Sequence, residues 1–534
     1  MTEKQWLLKQ LVNTDFANNP KYGARIDNIS CARFLADVYG NKYRACVEVK
    51  EREKKFFRYL PRRGIWEQDI KNTFSSRCME FTDALEAYCL NLINDPEWLP
   101  DKSKGDREEA QRRALAFAHS LSKRDPRNKL MQDVGDLTAF SKEELDGNPD
   151  YVNCLDGVLD TATGDILKHD PGLLMSKCTR VHLHGERDGD RFMQFLDEIQ
   201  QGDKEMIQFI QQVLGSGLVY GNRNEEFFIL HGASTRNGKS TLLDAVSYVL
   251  GDYAKAADFK TFSEQGKNSD SSKPTPDLAR LYNARFVTVS EPSKTMSLDA
   301  ARLKQLTGGN TIVTRGLNEA FFEYTAEFKL FFDTNYYPHV NDRTIFSSDR
   351  VVVIPFDRHF SKTEIDPTLK QRFRKPETVN FIFWWLFDGL KLSRTAEFKK
   401  RPQKVEAAIH AYEMHEDAFG DFTEECLVPD SKVVWKNEHK PSRIPLSVLY
   451  KLYEDWCGKT GRRAVNKSGI RDQLQARRIY QKSGKVNGVA HRDLCVGYLV
   501  KKEAWQLYTS QYDRDEIRSY VLTFNKDFQK YADE

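Results

Sequence analysis

Apolar positions along this chain follow two rhythms before residue 225 and a different order after it. In the first two hundred residues the spacing of amphipathic helices, as in "FTDALEAYCLNLIND" (81–95), alternates with short strand-like stretches bounded by turn residues. "FFRYLPRRGIWEQD" (56–69) predicts two strands around a Pro/Gly turn, with Tyr59 and Trp66 on the pairing face. "NCLDGVLDTATGDILKHDP" (153–171) repeats that logic around a Gly-Asp turn, and residues 191–221 carry helical spacing broken at "QGD", which predicts a helical pair. From 225 the order becomes strand ("EFFIL"), Gly-rich loop, helix ("KSTLLDAVSYVL") and strand ("RFVTVSE", 285–291), with further buried strands at 327–335 and 350–356. That alternation predicts a parallel α/β sheet. Beyond 395 the pattern is helical, and past a polar, Pro-bearing stretch (428–445) it turns strongly basic.

These changes divide the 534 residues into an N-terminal α+β domain (1–190), a helical collar (191–224), an α/β domain (225–395), a helical connector (396–430) and a basic C-terminal domain (431–534). Composition sets limits on function. Hydrophobic residues at 40% and charged residues at 30% describe a globular chain rather than a disordered one. The net charge of +3 is small, so any affinity for nucleic acid must come from local patches. The nine cysteines are scattered, which gives no zinc or redox-pair signature and suggests reduced, buried thiols in a cytosolic protein. The start, "MTEKQWLLKQLVNTD", has no signal-peptide pattern, and the densest apolar run, "FIFWWLF" (381–387), falls far short of the roughly 20 residues that span a bilayer. It reads as a core helix or strand.

The chemistry concentrates in "GASTRNGKST" (232–241). The phosphate-loop pattern G-x-x-x-x-G-K-[ST] wants glycine where Ala233 stands, with Gly232 displaced one place early. The context is nevertheless that of a phosphate loop: a strand runs into a Gly-rich turn, then a helix opens at Lys-Ser-Thr. Backbone N–H groups and the helix N-terminus suit phosphates, Lys239 suits the β/γ oxygens, and the Ser240 hydroxyl suits Mg²⁺. Gly232, Asn237, Gly238, Lys239, Ser240 and Thr241 are thus the expected ATP-binding residues, with Ser240 and Glu291 expected at the metal. Glu291 ends "FVTVSE", where it could polarise an attacking water or simply be a strand-end glutamate. Asn335 ends "LFFDTN", either a sensor of the γ-phosphate or a turn asparagine. "NDRTIFSSDRVVVIPF" offers Arg343 and Arg350, either of which could reach a neighbouring subunit's nucleotide.

Taken in order, Gly232–Thr241, Glu291, "LKQLTGGN" (303–310), "FFDTNYYP" (331–338) and "DRVVVIPF" (349–356) resemble motifs A, B, B′ and C and the arginine finger of superfamily 3 helicases. The likeness is greatest to the phage/plasmid and poxvirus-type primase-helicases, and covers about residues 30–430. "RFLADVYGNKYR", "RYLPRRGIWEQD" and "NCLDGVLDTATGDILKHDP" resemble the domain that precedes the motor in that family. The resemblance implies a P-loop, AAA+-like superfamily 3 motor that requires ATP and Mg²⁺. It assigns catalysis to Glu291, sensing to Asn335 and the finger in trans to Arg350, with Arg343 as second choice. Ser290 departs from the pattern, standing where many ATPases have a metal-directing aspartate, and this leaves Mg²⁺ more dependent on Ser240.

"GGNTIVTRGLNEAFFEYTAEF" (308–328) predicts a hairpin turning at "RGLNE". In superfamily 3 rings such a hairpin grips single-stranded DNA. Arg315 and Lys304 are therefore expected DNA contacts, although Arg315 could equally be a salt-bridged strand residue. Phe321, Phe322 and Tyr324 could stack bases or fill a core. From 432 to 492 there are 15 Lys and Arg against 4 Asp and Glu. Helix, basic turn, basic helix and Gly-punctuated hairpin is the order of a winged helix-turn-helix, with Lys467, Arg471, Arg477 and Arg478 expected on duplex DNA.

The leading expectation is a replicative DNA helicase of a phage or other mobile element, in the cytoplasm of a bacterial host. It would act as a homo-oligomeric, hexameric ring moving 3′ to 5′ on single-stranded DNA. The family's larger members carry a primase module, for which the sequence leaves no room before the pre-motor domain, so a separate primase is the expected partner. The competing readings are a nucleotide-regulated, origin-binding initiator scaffold that does not unwind, and a small-molecule kinase using the same loop.

Overall fold

The computed structural model describes residues 1–23, 25–47, 54–263, 275–290, 297–315, 321–340, 342, 344–395, 400–429, 441–460, 462, 464–486, 488–501 and 504. The chain forms two compact units, Met1–Ala408 and Ile409–Glu534, so that the division falls inside the stretch expected as a helical connector.

The first unit opens with α1 (Glu3–Asn13) and α2 (Asn28–Tyr39), each begun by a capping box in which Thr2 or Asp27 satisfies an otherwise unpaired helix N–H. β1 (Tyr43–Val47), β2 (Lys55–Leu60) and β3 (Ile65–Gln68) follow, then α3 (Thr73–Asn91), α4 (Lys104–Ser120), α5 (Arg124–Leu137) and β4 (Phe140–Ser141), giving a sheet of order β3-β2-β1-β4. The expected Tyr59–Trp66 pair lies opposite in the β2–β3 register, with ring centroids 5.4 Å apart. Phe16, Tyr22, Phe34, Phe81 and Tyr88 form the aromatic centre of the helical core. Residues 153–171 form more than the expected pair of segments. β5 (Tyr151–Cys154), β6 (Gly157–Asp160) and β7 (Ile166–Leu167) make a three-stranded meander. The break at "QGD" separates α6 (Asp190–Ile199) from α7 (Lys204–Gly215), which Asp203 caps through the Met206 N–H at 3.1 Å.

The α/β part follows with β8 (Phe227–His231), α8 (Lys239–Leu250), β9 (Ala254–Ala257), α9 (Pro276–Ala279), β10 (Phe286–Val289), β11 (Ser297–Leu298), α10 (Ala300–Thr307), β12 (Thr311–Thr314), β13 (Phe322–Thr325), β14 (Lys329–Thr334), β15 (His339–Val340), α11 (Thr344–Ser347), β16 (Val351–Pro355), α12 (Leu369–Arg372) and α13 (Pro376–Ser393). Five strands form the expected parallel sheet, in the order β16-β8-β14-β10-β9. Their near-continuous apolar runs are buried, as a sheet covered on both faces requires. The chain leaves β8 for the β9 edge and leaves β14 for the β16 edge, so these neighbours flank a topological switch point, where open α/β sheets bind ligands. The apolar run 381–387 is helical, within α13, which packs on α7.

α14 (Gln403–His415) spans the division between the units. The second unit then contains α15 (Ala418–Cys426), β17 (Leu427–Pro429), β18 (Arg443–Pro445), α16 (Leu446–Thr460), α17 (Lys467–Ala476), β19 (Tyr480–Val486), β20 (Val489–Val496) and β21 (Tyr498–Val500). Its helices pack around Phe422, Tyr453 and Trp456, and β18-β20-β19 form a small antiparallel sheet. All nine cysteines are buried thiols, as expected. Among the described residues no helix is long and apolar enough to cross a membrane.

Candidate functional site

The loop between β8 and α8 accounts for its own unusual sequence. A Cβ on Gly232 would lie 2.1 Å from the Asn237 amide nitrogen and 2.7 Å from the Phe356 carbonyl oxygen, whereas Ala233 is exposed. Glycine is therefore required at 232 and not at 233. Gly238 has φ +89 at the N-cap of α8, a conformation that favours glycine, and provides no side chain to cap the first turn. The N–H groups of that turn are the ready-made anion cradle of a helix N-terminus. Asn237, itself buried, braces the turn by donating to the Ser234 carbonyl at 2.7 Å. From beyond β16, the Phe360 N–H donates to the Arg236 carbonyl at 2.9 Å.

Lys239 is 2% exposed. Its ammonium donates to Asn237 Oδ1 at 3.0 Å and to Asn335 Oδ1 at 2.8 Å, and lies 3.7 Å from Asp333 Oδ1. The Ser240 hydroxyl donates to Asp333 Oδ2, and Thr241 follows, half-buried, in the same turn. The geometry thus joins Lys239, Ser240 and Asn335 at the β8–β14 switch point and adds Asp333, which sequence reasoning did not single out. Its signal was present: Asp333 lies two places before Asn335, and strand periodicity turns alternate residues to one side. A buried ammonium, an uncapped helix N-terminus and a carboxylate on the Ser240 hydroxyl fit a nucleotide triphosphate with its magnesium ion. Ser290, standing where many ATPases have a metal-directing aspartate, is exposed just past β10, and the carboxylate that reaches the Ser240 hydroxyl comes instead from β14. Among the described residues no group of three or more His, Cys, Asp and Glu could hold a metal alone. A metal here would share its ligands with phosphate. Glu291 and Arg343 lie outside the described residues.

Arg350 sits at the opposite end of the sheet, just before β16. It donates to the Lys304 carbonyl at 3.3 Å and the Thr307 hydroxyl at 2.9 Å, near the C-terminus of α10, and pairs with Glu225. It therefore belongs to a different face from its own chain's Lys239. The Lys304 ammonium binds Thr344 and lies 3.5 Å from Asp342. Burial alone would raise the Asp342 pKa, but Thr344 and Lys304 outweigh it and hold the carboxyl below its ordinary value.

β12 and β13 form the expected hairpin, pairing Thr311–Thr314 with Phe322–Thr325, and residues 316–320 of its turn lie outside the described residues. The three aromatic residues divide. Tyr324 is buried and donates to the Leu278 carbonyl at 2.7 Å, and Phe322 packs against Tyr282 and Tyr324. Phe321 is 42% exposed, and the Arg315 guanidinium lies over its ring at 4.5 Å.

In the second unit Arg477 forks onto both oxygens of Asp417, at 2.9 and 2.7 Å, and Asp417 also caps α15. Arg471 pairs with Asp493 at 3.0 Å. The Tyr480 hydroxyl holds the Asp493 carboxyl below its ordinary pKa; burial opposes this and Arg471 reinforces it. Lys467, at the start of α17, and Arg478, just beyond its end, are exposed.

A family profile described as "D5 N terminal like" matches residues 32–201. Three relatives, each named "Putative helicase", match at low identity. L207/L206 of Acanthamoeba polyphaga mimivirus is 27% identical over 68% of this chain. Protein 121R of Invertebrate iridescent virus 3 is 23% identical over 58%, and 022R of Frog virus 3 is 23% identical over 44%. The matches span only 38%, 35% and 25% of those proteins' lengths. All three come from viruses of eukaryotic hosts, which gives the expected bacterial host no support. Among solved structures, the apo C-terminal region of NrS-1 aligns with 66% of this chain and 83% of its own at 14% identity, with a TM-score of 0.37, too loose a likeness to bear on the fold. The D5-like segment and the viral relatives together support kinship with helicase-primase-type proteins.

Proposed function

We propose that this chain is an ATP-dependent DNA helicase built on a P-loop, AAA+-like superfamily 3 motor. The observation that carries the reading is the convergence of Lys239, Ser240, Asp333 and Asn335 beside an uncapped helix N-terminus at the switch point of the sheet. Bound with Mg²⁺, ATP supplies the phosphoanhydride whose hydrolysis drives movement. Lys239 neutralises charge on the terminal phosphates, and Asn335, already bonded to that ammonium, registers their arrival. Ser240 and Asp333 hold the metal side, and Glu291, two residues past the end of β10, orients the attacking water.

Arg350 cannot serve the nucleotide of its own subunit from the far end of the sheet, which supports a finger acting in trans and hence a closed ring, six-membered by family resemblance. Arg315 and Phe321, at the base of the hairpin turn, provide a phosphate contact and a stacking face for single-stranded DNA, and Lys304 adds a supporting contact. The second unit, with its helix–strand–strand–helix–helix–strand–strand–strand order, acts as a winged-helix-like module on duplex DNA through Lys467 and Arg478. Strand displacement from duplexes carrying a single 3′ or 5′ tail tests this reading. The expected outcome is ATP-dependent displacement from the 3′-tailed substrate alone. ATP hydrolysis without displacement of either would favour the origin-binding scaffold.

A further inference from the structure

At the end of the sheet opposite the phosphate loop, the start of β14 lines a cavity of about 170 Å³ with Lys329, Tyr220, Arg223 and Arg394. Lys329 is 5% exposed, and among the described residues its ammonium makes one hydrogen bond, to the Val219 carbonyl at 2.7 Å. Among the described residues the carboxylates that line the cavity are engaged elsewhere, and the acidic group acting on the Lys329 charge is the exposed Glu327, two residues before it. Asp150 pairs with Arg394 at 2.5 Å, and Glu226 pairs with Arg401 at 2.8 Å. A second buried cation lies beneath the wall. Arg285 is 0% exposed, stacks under Tyr220 at 4.2 Å and donates to the Tyr151 carbonyl at 2.7 Å, while its Nε has no hydrogen-bond partner among the described residues.

A buried ammonium that faces a carbonyl oxygen, below an arginine at the cavity mouth and with Arg285 buried behind the Tyr220 wall, makes a cationic pocket suited to an anion. We propose that this cavity binds a small oxyanion, a phosphate or carboxylate group, held by the Lys329 ammonium inside and the Arg223 guanidinium at the entrance. Charge-assisted hydrogen bonds from both would replace the water that each cation otherwise needs. Lys329 and Asp333 are the first and fifth residues of β14, so the two sites share one rigid strand over about 13 Å. Burial first, then neighbouring Arg285, pulls the Lys329 pKa down from 10.5 to about 7, the direction that a missing counter-charge produces.

The test is calorimetric titration of the full chain, with Mg²⁺ and a non-hydrolysable ATP analogue filling the phosphate loop, using inorganic phosphate in one arm and malonate in the other. Saturable binding of one equivalent in either arm is expected, and the tighter arm assigns the class of oxyanion. Lys329→Met and Arg223→Ala should each weaken it at least tenfold. Arg223 is exposed, so its variant keeps the fold even if Lys329→Met does not. Silence of the wild type in both arms, or undiminished binding by Arg223→Ala, would overturn the proposal.

Discussion

Asp333 reaches the Ser240 hydroxyl from the neighbouring strand, across the β8–β14 boundary of the sheet. The string "FFDTN" pointed to the asparagine at the strand end, and only the pairing of β14 beside β8 brings the aspartate against Ser240. The phosphate loop itself was legible because its geometry is local. Its displaced glycine was not interpretable without the Asn237 side chain and the Phe356 carbonyl that forbid a Cβ at 232. With Asp333 on the metal side, Asp333→Asn should lower kcat for ATP hydrolysis about 10²- to 10³-fold, while nucleotide still binds without Mg²⁺. Unchanged turnover in that variant would remove Asp333 from the site.

Elements were read best where one face is buried. The β2–β3 pair, the β12–β13 hairpin and the α6–α7 break all lie where periodicity and turn residues put them. What could not be read was which basic residues have partners across the fold. Arg477 and Arg478 are neighbours in the sequence, yet Arg477 is bound to Asp417 and Arg478 faces solvent. Arg477→Ala should therefore destabilise the second unit by about 1–3 kcal/mol in urea unfolding, since it removes both guanidinium bonds from a mostly buried Asp417. Lys467→Ala combined with Arg478→Ala should leave that stability unchanged while weakening duplex binding. In the hairpin, Arg315→Ala should reduce the salt dependence of single-stranded DNA binding by about one ion, measured as the slope of log K against log salt. A slope equal to that of wild type would confine Arg315 to a structural role in the hairpin.

For the whole molecule, Lys329 gives stability a recognisable pH dependence. Its pKa is about 7 when folded and near 10.5 when unfolded, so between these values the unfolded chain binds more protons and stability rises with pH. Below pH 7 both states are protonated and the contribution is flat. The urea midpoint should accordingly be higher at pH 9 than at pH 7, and Lys329→Met should lose that increment. The most direct test of the central claim is ATP hydrolysis by wild type and Lys239→Ala, each with and without single-stranded DNA. Turnover stimulated by DNA in the wild type and absent in the variant is the predicted result. DNA-independent turnover, or turnover that survives the loss of Lys239, would contradict a helicase powered from this loop.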